Sequence, residues 1–138
     1  MLVASDALSV ERTVGSYMLS SCDLSQNQQA EFYRLHGRAE SLLEYATTYD
    51  GYADELLRQH ILNTALHHNI TQFIHVIHDR EFADTCANFT HAERTELTVK
   101  WGDDMELYIL AIDDVRQNHI IPFILHVSLI ICFTTSNQ

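Results

Sequence analysis

Apolar residues recur every three or four positions through the first two-thirds of the chain. That period predicts amphipathic helices. Ser5 or Asp6 can cap a first helix carrying Leu8, Val10, Val14, Tyr17 and Met18, with Gly15 as its weak point. Cys22-Asp23-Leu24 reads as the connection. Ser25 with Gln28 three residues on is a capping-box pattern. The helix behind it carries Phe32, Leu35, Ala39, Leu42, Leu43, Ala46 and Tyr49, and Gly37 can bend it. Asp50-Gly51 marks a turn. A third helix follows with Leu56, Leu57, His60, Ile61, Ala65 and Leu66, and Asn69 can end it. A fourth runs from about Thr71, with Phe73, Ile74, Ile77 and Phe82 inward, and closes near Asn88.

The period then changes. Thr90 and Glu93 can cap one short turn. From Thr95, Leu97, Val99 and Trp101 alternate with Thr98 and Lys100. After Gly102-Asp103-Asp104, Met105, Leu107, Ile109 and Ala111 alternate with Glu106, Tyr108, Leu110 and Ile112. Two alternating runs around a glycine-containing link predict a β-hairpin. The competing reading is a helix capped by Asp103, with Met105, Ile109 and Ile112 on one face. In the last run Ile121, Phe123, Leu125, Val127, Leu129, Ile131 and Phe133 share one parity, which predicts a final strand with Pro122 near its start. The expected fold is α+β: about four helices packed on a small antiparallel sheet, with an all-α bundle as the alternative. Residues 1–138 read as one domain, helical over about 6–90 and sheet over about 95–134. A small sheet has open edges, so the last strand is a candidate for pairing two copies into a homodimer.

Charge narrows the functions. Eight Lys+Arg stand against 19 Asp+Glu, a formal net charge of −11 with histidine neutral. A protein that tracks phosphates needs a cationic face, so direct nucleic-acid binding is not expected. At 46% hydrophobic and 20% charged residues, the composition is that of a folded chain. The apolar run from Ile120 to Phe133 is shorter than the roughly 20 residues of a spanning helix, and it contains Pro122, His126 and Ser128. No membrane association is expected from it. The first residues lack a cationic start and a long apolar run, so no signal peptide is expected. Cys22, Cys86 and Cys132 are far apart and odd in number, which favours free buried thiols in a reducing, cytoplasmic compartment.

Nine histidines are the most conspicuous polar feature. His75 and His78 can share a helix face. An antiparallel neighbour can bring His67 beside them as a third ligand for a divalent metal such as zinc. No HExxH or Glu-x-x-His repeat accompanies them. The serine-hydrolase elbow and the glycine-rich phosphate loops are also missing, and no cysteine stands in a nucleophile motif.

The acidic residues form the other candidate. From Glu93 to Asp114 seven acids face only Arg94 and Lys100, and Glu31, Glu40 and Glu44 recur on an earlier helix. Asp103, Asp104, Glu106, Asp113 and Asp114 are expected to contact a basic partner, with Tyr108 as an aromatic anchor; Trp101 is expected in the core. The cations are seven Arg and one Lys, and Arg is the cation enriched at interfaces. The expected function is a non-enzymatic acidic module without a cofactor. It would mask or inhibit a basic, nucleic-acid-binding protein, as an immunity, antitoxin-like or phage-type inhibitor does. The alternatives are a histidine-rich metal-dependent enzyme or sensor and a self-associating structural protein.

Overall fold

The computed structural model describes residues 2–23, 25–48 and 51–136, the side chains of Leu2, Ala46, Thr47, His78, Arg80 and Ser136 excepted. The expected roles of Leu24, Tyr49 and Asp50, and of the Ala46 and His78 side chains, lie outside what is described. Helices α1 (Leu2–Ser21), α2 (Gln26–Thr48), α3 (Gly51–Leu57), α4 (Ala65–His78), α5 (Arg80–Ala87), α6 (His91–Val115) and α7 (Ile121–Ser136) account for the chain, with π-helical turns at Arg58–Leu62 and Arg116–Ile120. No strand occurs among the described residues. The α+β expectation is therefore wrong, together with its hairpin, its final strand and any dimer paired through that strand. The all-helical alternative is the observed one.

Helices α1, α2, α4 and α6 form an up-down-up-down bundle. Ser5 of α1 bonds Asp113 of α6, the Arg12 carbonyl meets Trp101, and Cys22 joins Cys86. The first two pairs run antiparallel along α1 and α6, and the bridge ties the end of α1 to α5 just before α6 begins. The core positions keep a near-seven-residue repeat: Ala4, Leu8, Glu11 and Met18 on α1, Phe32, Leu35, Ala39 and Leu43 on α2, Ile70, Ile74 and Ile77 on α4, Trp101, Met105, Tyr108, Ile112 and Val115 on α6. Of the residues expected on the α1 stripe, Leu8, Val14 and Met18 meet the core, while Val10 and Tyr17 face solvent.

The hairpin misreading has a specific cause. Val99, Leu107 and Leu110 are 54, 56 and 56% exposed. These outward aliphatics complete an alternation that core packing does not require. Thr90 and Glu93 form a full capping box that starts the whole of α6, not one turn. Gly102, Asp103 and Asp104 lie inside that helix. Likewise Asn69 lies inside α4, because the chain breaks earlier, where Thr64 accepts from the His67 N–H as the N-cap.

Cys22 and Cys86 form a disulfide, which corrects the expectation of free thiols; Cys132 is free and exposed. At the other end of the bundle, α6 continues through the second π-turn into α7. Pro122 has no N–H for the Asn118 carbonyl, and the widened turn lies directly before it. A tilted ring contact of Tyr52 with Phe123 (4.5 Å between centroids) and stacking of His60 on His119 (5.0 Å) lean α3 and its π-turn against this exit. Beyond it, α7 is exposed throughout its described side chains, including Phe123, Leu125, Leu129, Ile131 and Phe133. An 18-residue stretch of the helix His91–Thr135 has mean hydropathy 1.6 and is 0% buried. By length and composition this helix is able to cross a membrane. The apolar run of residues 120–133 is short on its own, and the helical turns that flank it extend the rod.

Candidate functional site

Charged groups enter the core at one level. Glu11 occupies a core-facing position of α1 between Leu8 and Met18, and its exposure is 0%. Its Oε1 lies 3.1 Å from Nδ1 of His36 on α2, and His36 Nε2 lies 3.3 Å from Glu40 Oε1. A ring set between two carboxylates favours the imidazolium form, which donates from both nitrogens. Burial pulls the His36 pKa down, but the hydrogen bond and charge of Glu11, and then Glu40, outweigh it and leave it above the usual histidine value. Burial pushes Glu11 upward, and His36 only partly reverses that.

Across the same level, Nδ1 of His67 lies 3.1 Å from the Tyr108 hydroxyl, with the rings stacked at 5.7 Å. Burial lowers the His67 pKa and raises that of Tyr108, with Glu11 and Glu40 adding to the latter. Burial therefore favours a neutral imidazole and a protonated phenol, a pair able to share this hydrogen bond in either direction. One cluster thus holds a histidine that favours its cation and another that favours its neutral form. Glu11, His36, His67, Thr71 and Tyr108 border a cavity of about 20 Å³, room for one water molecule.

Glu40, His67 and Tyr108 of this cluster also line a larger groove. Helices α2 and α4 scarcely approach each other, whereas α1 packs closely on both α2 and α6. The groove, of about 350 Å³, opens between α2 and the α3–π-turn segment, lined by Glu40, Leu43 and Glu44 on one side and Asp54, Leu57 and Ile61 on the other, with His67 and Tyr108 also in its lining. Arg58 pairs with Asp54 at 3.0 Å. The lining suits an amphiphilic cation. It brings no cysteine or serine nucleophile to a base.

The expected partner-binding residues separate. Asp103, Glu106 and Asp114 point outward along α6. Glu106 pairs with Arg12 at 3.4 Å, and Asp114 accepts from Asn118 at 2.6 Å. Asp104 is half-buried and pairs with Lys100 at 3.2 Å. Asp113 turns toward α1, accepting from the Ser5 hydroxyl at 3.0 Å, and also meets Arg116. Tyr108 is buried against His67 and is not a surface anchor. Trp101 is in the core. Asp103 and Asp114 share the outward stripe of α6 with Glu96, Val99, Leu107 and Leu110, so carboxylates alternate with aliphatic side chains.

The proposed metal ligands are not assembled. His67 turns inward to Tyr108 while His75 faces solvent, and no group of three metal-ligating side chains occurs among the described residues. Sequence reasoning missed the Glu11–His36–Glu40 cluster. The signal was there: Glu11 and His36 are polar residues seated on the apolar stripes of their helices. Comparison with known families, curated proteins and solved structures finds no match to this chain.

Proposed function

We propose that this protein is a membrane-tethered, non-enzymatic binding module whose acidic helical bundle engages a basic partner. The observation that carries the tether is the unbroken passage of α6, a core helix of the bundle, into the exposed apolar α7. A helix this apolar, with every described side chain exposed, suits hydrocarbon better than water. The Cys22–Cys86 bridge favours an oxidising compartment, so this reading replaces the cytoplasmic expectation with a bundle facing the outside of the cell or a secretory lumen. The stripe of Glu96, Asp103 and Asp114 with Val99, Leu107 and Leu110 supports the choice of partner. Its charge and aliphatic spacing complement a basic amphipathic helix. Masking of a basic partner remains the mode of action, now exerted at a membrane surface.

Fractionation of the expressed chain tests the tether. Under the proposal it stays with membranes in alkaline carbonate and leaves them in detergent. Recovery in the carbonate wash removes the tether from the reading.

A further inference from the structure

We infer that Asn88 and Asn69 are sites of N-linked glycosylation on the bundle. Asn88-Phe89-Thr90 and Asn69-Ile70-Thr71 both have the Asn-x-Thr form without an intervening proline. The structure displays each asparagine to solvent. In both triplets the middle residue is the more enclosed one. Ile70 is buried in the core and Phe89 is half-buried, 6.1 Å from the Phe82 ring. Asn88 ends α5, in the short link before Thr90 caps α6. Its Nδ2 donates to the Asp84 carbonyl at 3.1 Å. A carboxamide nitrogen has two hydrogens, so one can be replaced by a sugar while the other keeps this bond.

The donor class is a lipid-pyrophosphate-linked oligosaccharide. Nδ2 forms a bond to the anomeric carbon and loses one proton. The carbon–oxygen bond to the pyrophosphate breaks, and the lipid pyrophosphate departs with that electron pair. No oxidant is involved. The inference rests on the tethered reading, which puts the bundle on the side where both this transfer and the Cys22–Cys86 bridge occur. Both sites stand clear of the membrane in that geometry. Asn88 lies next to the start of α6, and the rise from there to Ile120 is about 44 Å. Asn69 sits near the level of Tyr108, about 18 Å from the same point.

The test uses the full chain in eukaryotic cells. Membranes are washed in carbonate and free thiols are blocked first, so anchoring and the bridge are read in the same preparation. Peptide:N-glycosidase in heavy-oxygen water then converts each glycosylated asparagine to labelled aspartate for peptide mass spectrometry. The expected result is label at residues 88 and 69. Asn88→Gln and Asn69→Gln each lose one glycan-sized mobility step. Thr90→Ser keeps both steps, because it retains the acceptor hydroxyl and the α6 cap. Label at one asparagine alone overturns the assignment of the other. An anchored, bridged chain with neither labelled overturns the inference and leaves the tether standing. A chain that washes off with Cys22 and Cys86 reduced overturns both.

Discussion

The indole of Trp101 lies against the bare Cα of Gly15, and a Cβ at that glycine would fall inside the ring. The indole Nε1 donates to the Arg12 carbonyl at 3.0 Å, and Phe73 stacks on the ring's other surroundings at 5.1 Å. Gly15, a poor helix residue by propensity, is what allows α1 and α6 to close on a tryptophan. Gly15→Ala should therefore destabilise the bundle by about 1–3 kcal/mol despite its better helix propensity. Chemical denaturation monitored by Trp101 fluorescence measures it, and a stabilised variant would contradict this packing.

The Cys22–Cys86 bridge closes a separation of 64 residues. The chain-entropy argument assigns such a loop about 4 kcal/mol. Cys22→Ser with Cys86→Ser should lower the melting temperature markedly, and reduction of the wild type should reproduce the shift. Equal melting with and without reductant would remove the bridge from the stability argument.

Protonation acts with opposite signs at the two buried histidines. His36 has a raised pKa, so its stabilisation is present below its unfolded value of 6.5 and is lost as pH rises through the folded value. His67 has a lowered pKa, so its contribution is present above 6.5 and declines as pH falls below that. His36→Ala leaves the Glu11 carboxylate buried without its cation and should cost about 3 kcal/mol near pH 6. Its deficit should shrink by pH 9. His67→Gln should instead improve relative to wild type as pH falls from 8 to 5. Melting curves across pH settle both, and parallel curves for the two variants would refute the assignment.

Reversal of the α6 stripe should act on binding alone. Asp103 and Asp114 lie outward, so Asp103→Lys with Asp114→Lys should leave melting within about 0.5 kcal/mol of wild type. Recovery of a basic partner on cross-linking should fall at least tenfold. Unchanged recovery would move the interface elsewhere, with the groove between α2 and α3 the next surface to test.

Lysines placed in α7 should release the protein. Leu125→Lys with Ile130→Lys puts two cations in the apolar rod, each costing about 3 kcal/mol in hydrocarbon. The variant should appear in the carbonate wash with an unchanged bundle by circular dichroism. Retention in the membrane would argue against α7 as the anchor.

The N-terminal helices were legible because core and solvent positions differ there. Phe32, Leu35, Ala39 and Leu43 declare one face, and Ser25-x-x-Gln28 and Thr90-x-x-Glu93 mark helix starts. The C-terminal third misled for a physical reason. In α7 every side is apolar, so a two-residue period fits as well as a helical one. In α6 the exposed Val99, Leu107 and Leu110 supply the same false alternation. The acidic residues were found as a set, but only a helix decides that Asp103 and Asp114 look outward while Asp113 turns to Ser5. The Glu11–His36 pairing joins positions 25 residues apart, and no local pattern carries it.

The disulfide and the apolar helix sit at opposite ends of the bundle. Tension drawn through α7 would run up the single rod of α6 to its far end. There the short link at residues 88–90 leads into α5, and Cys86 hands the load to Cys22 at the end of α1. Helix α1 then carries it back alongside α6 toward the α7 end of the bundle. The pull becomes a shear between two helices packed along their length, clipped covalently where they would first slide apart. A bundle built this way keeps its shape when α7 is pulled.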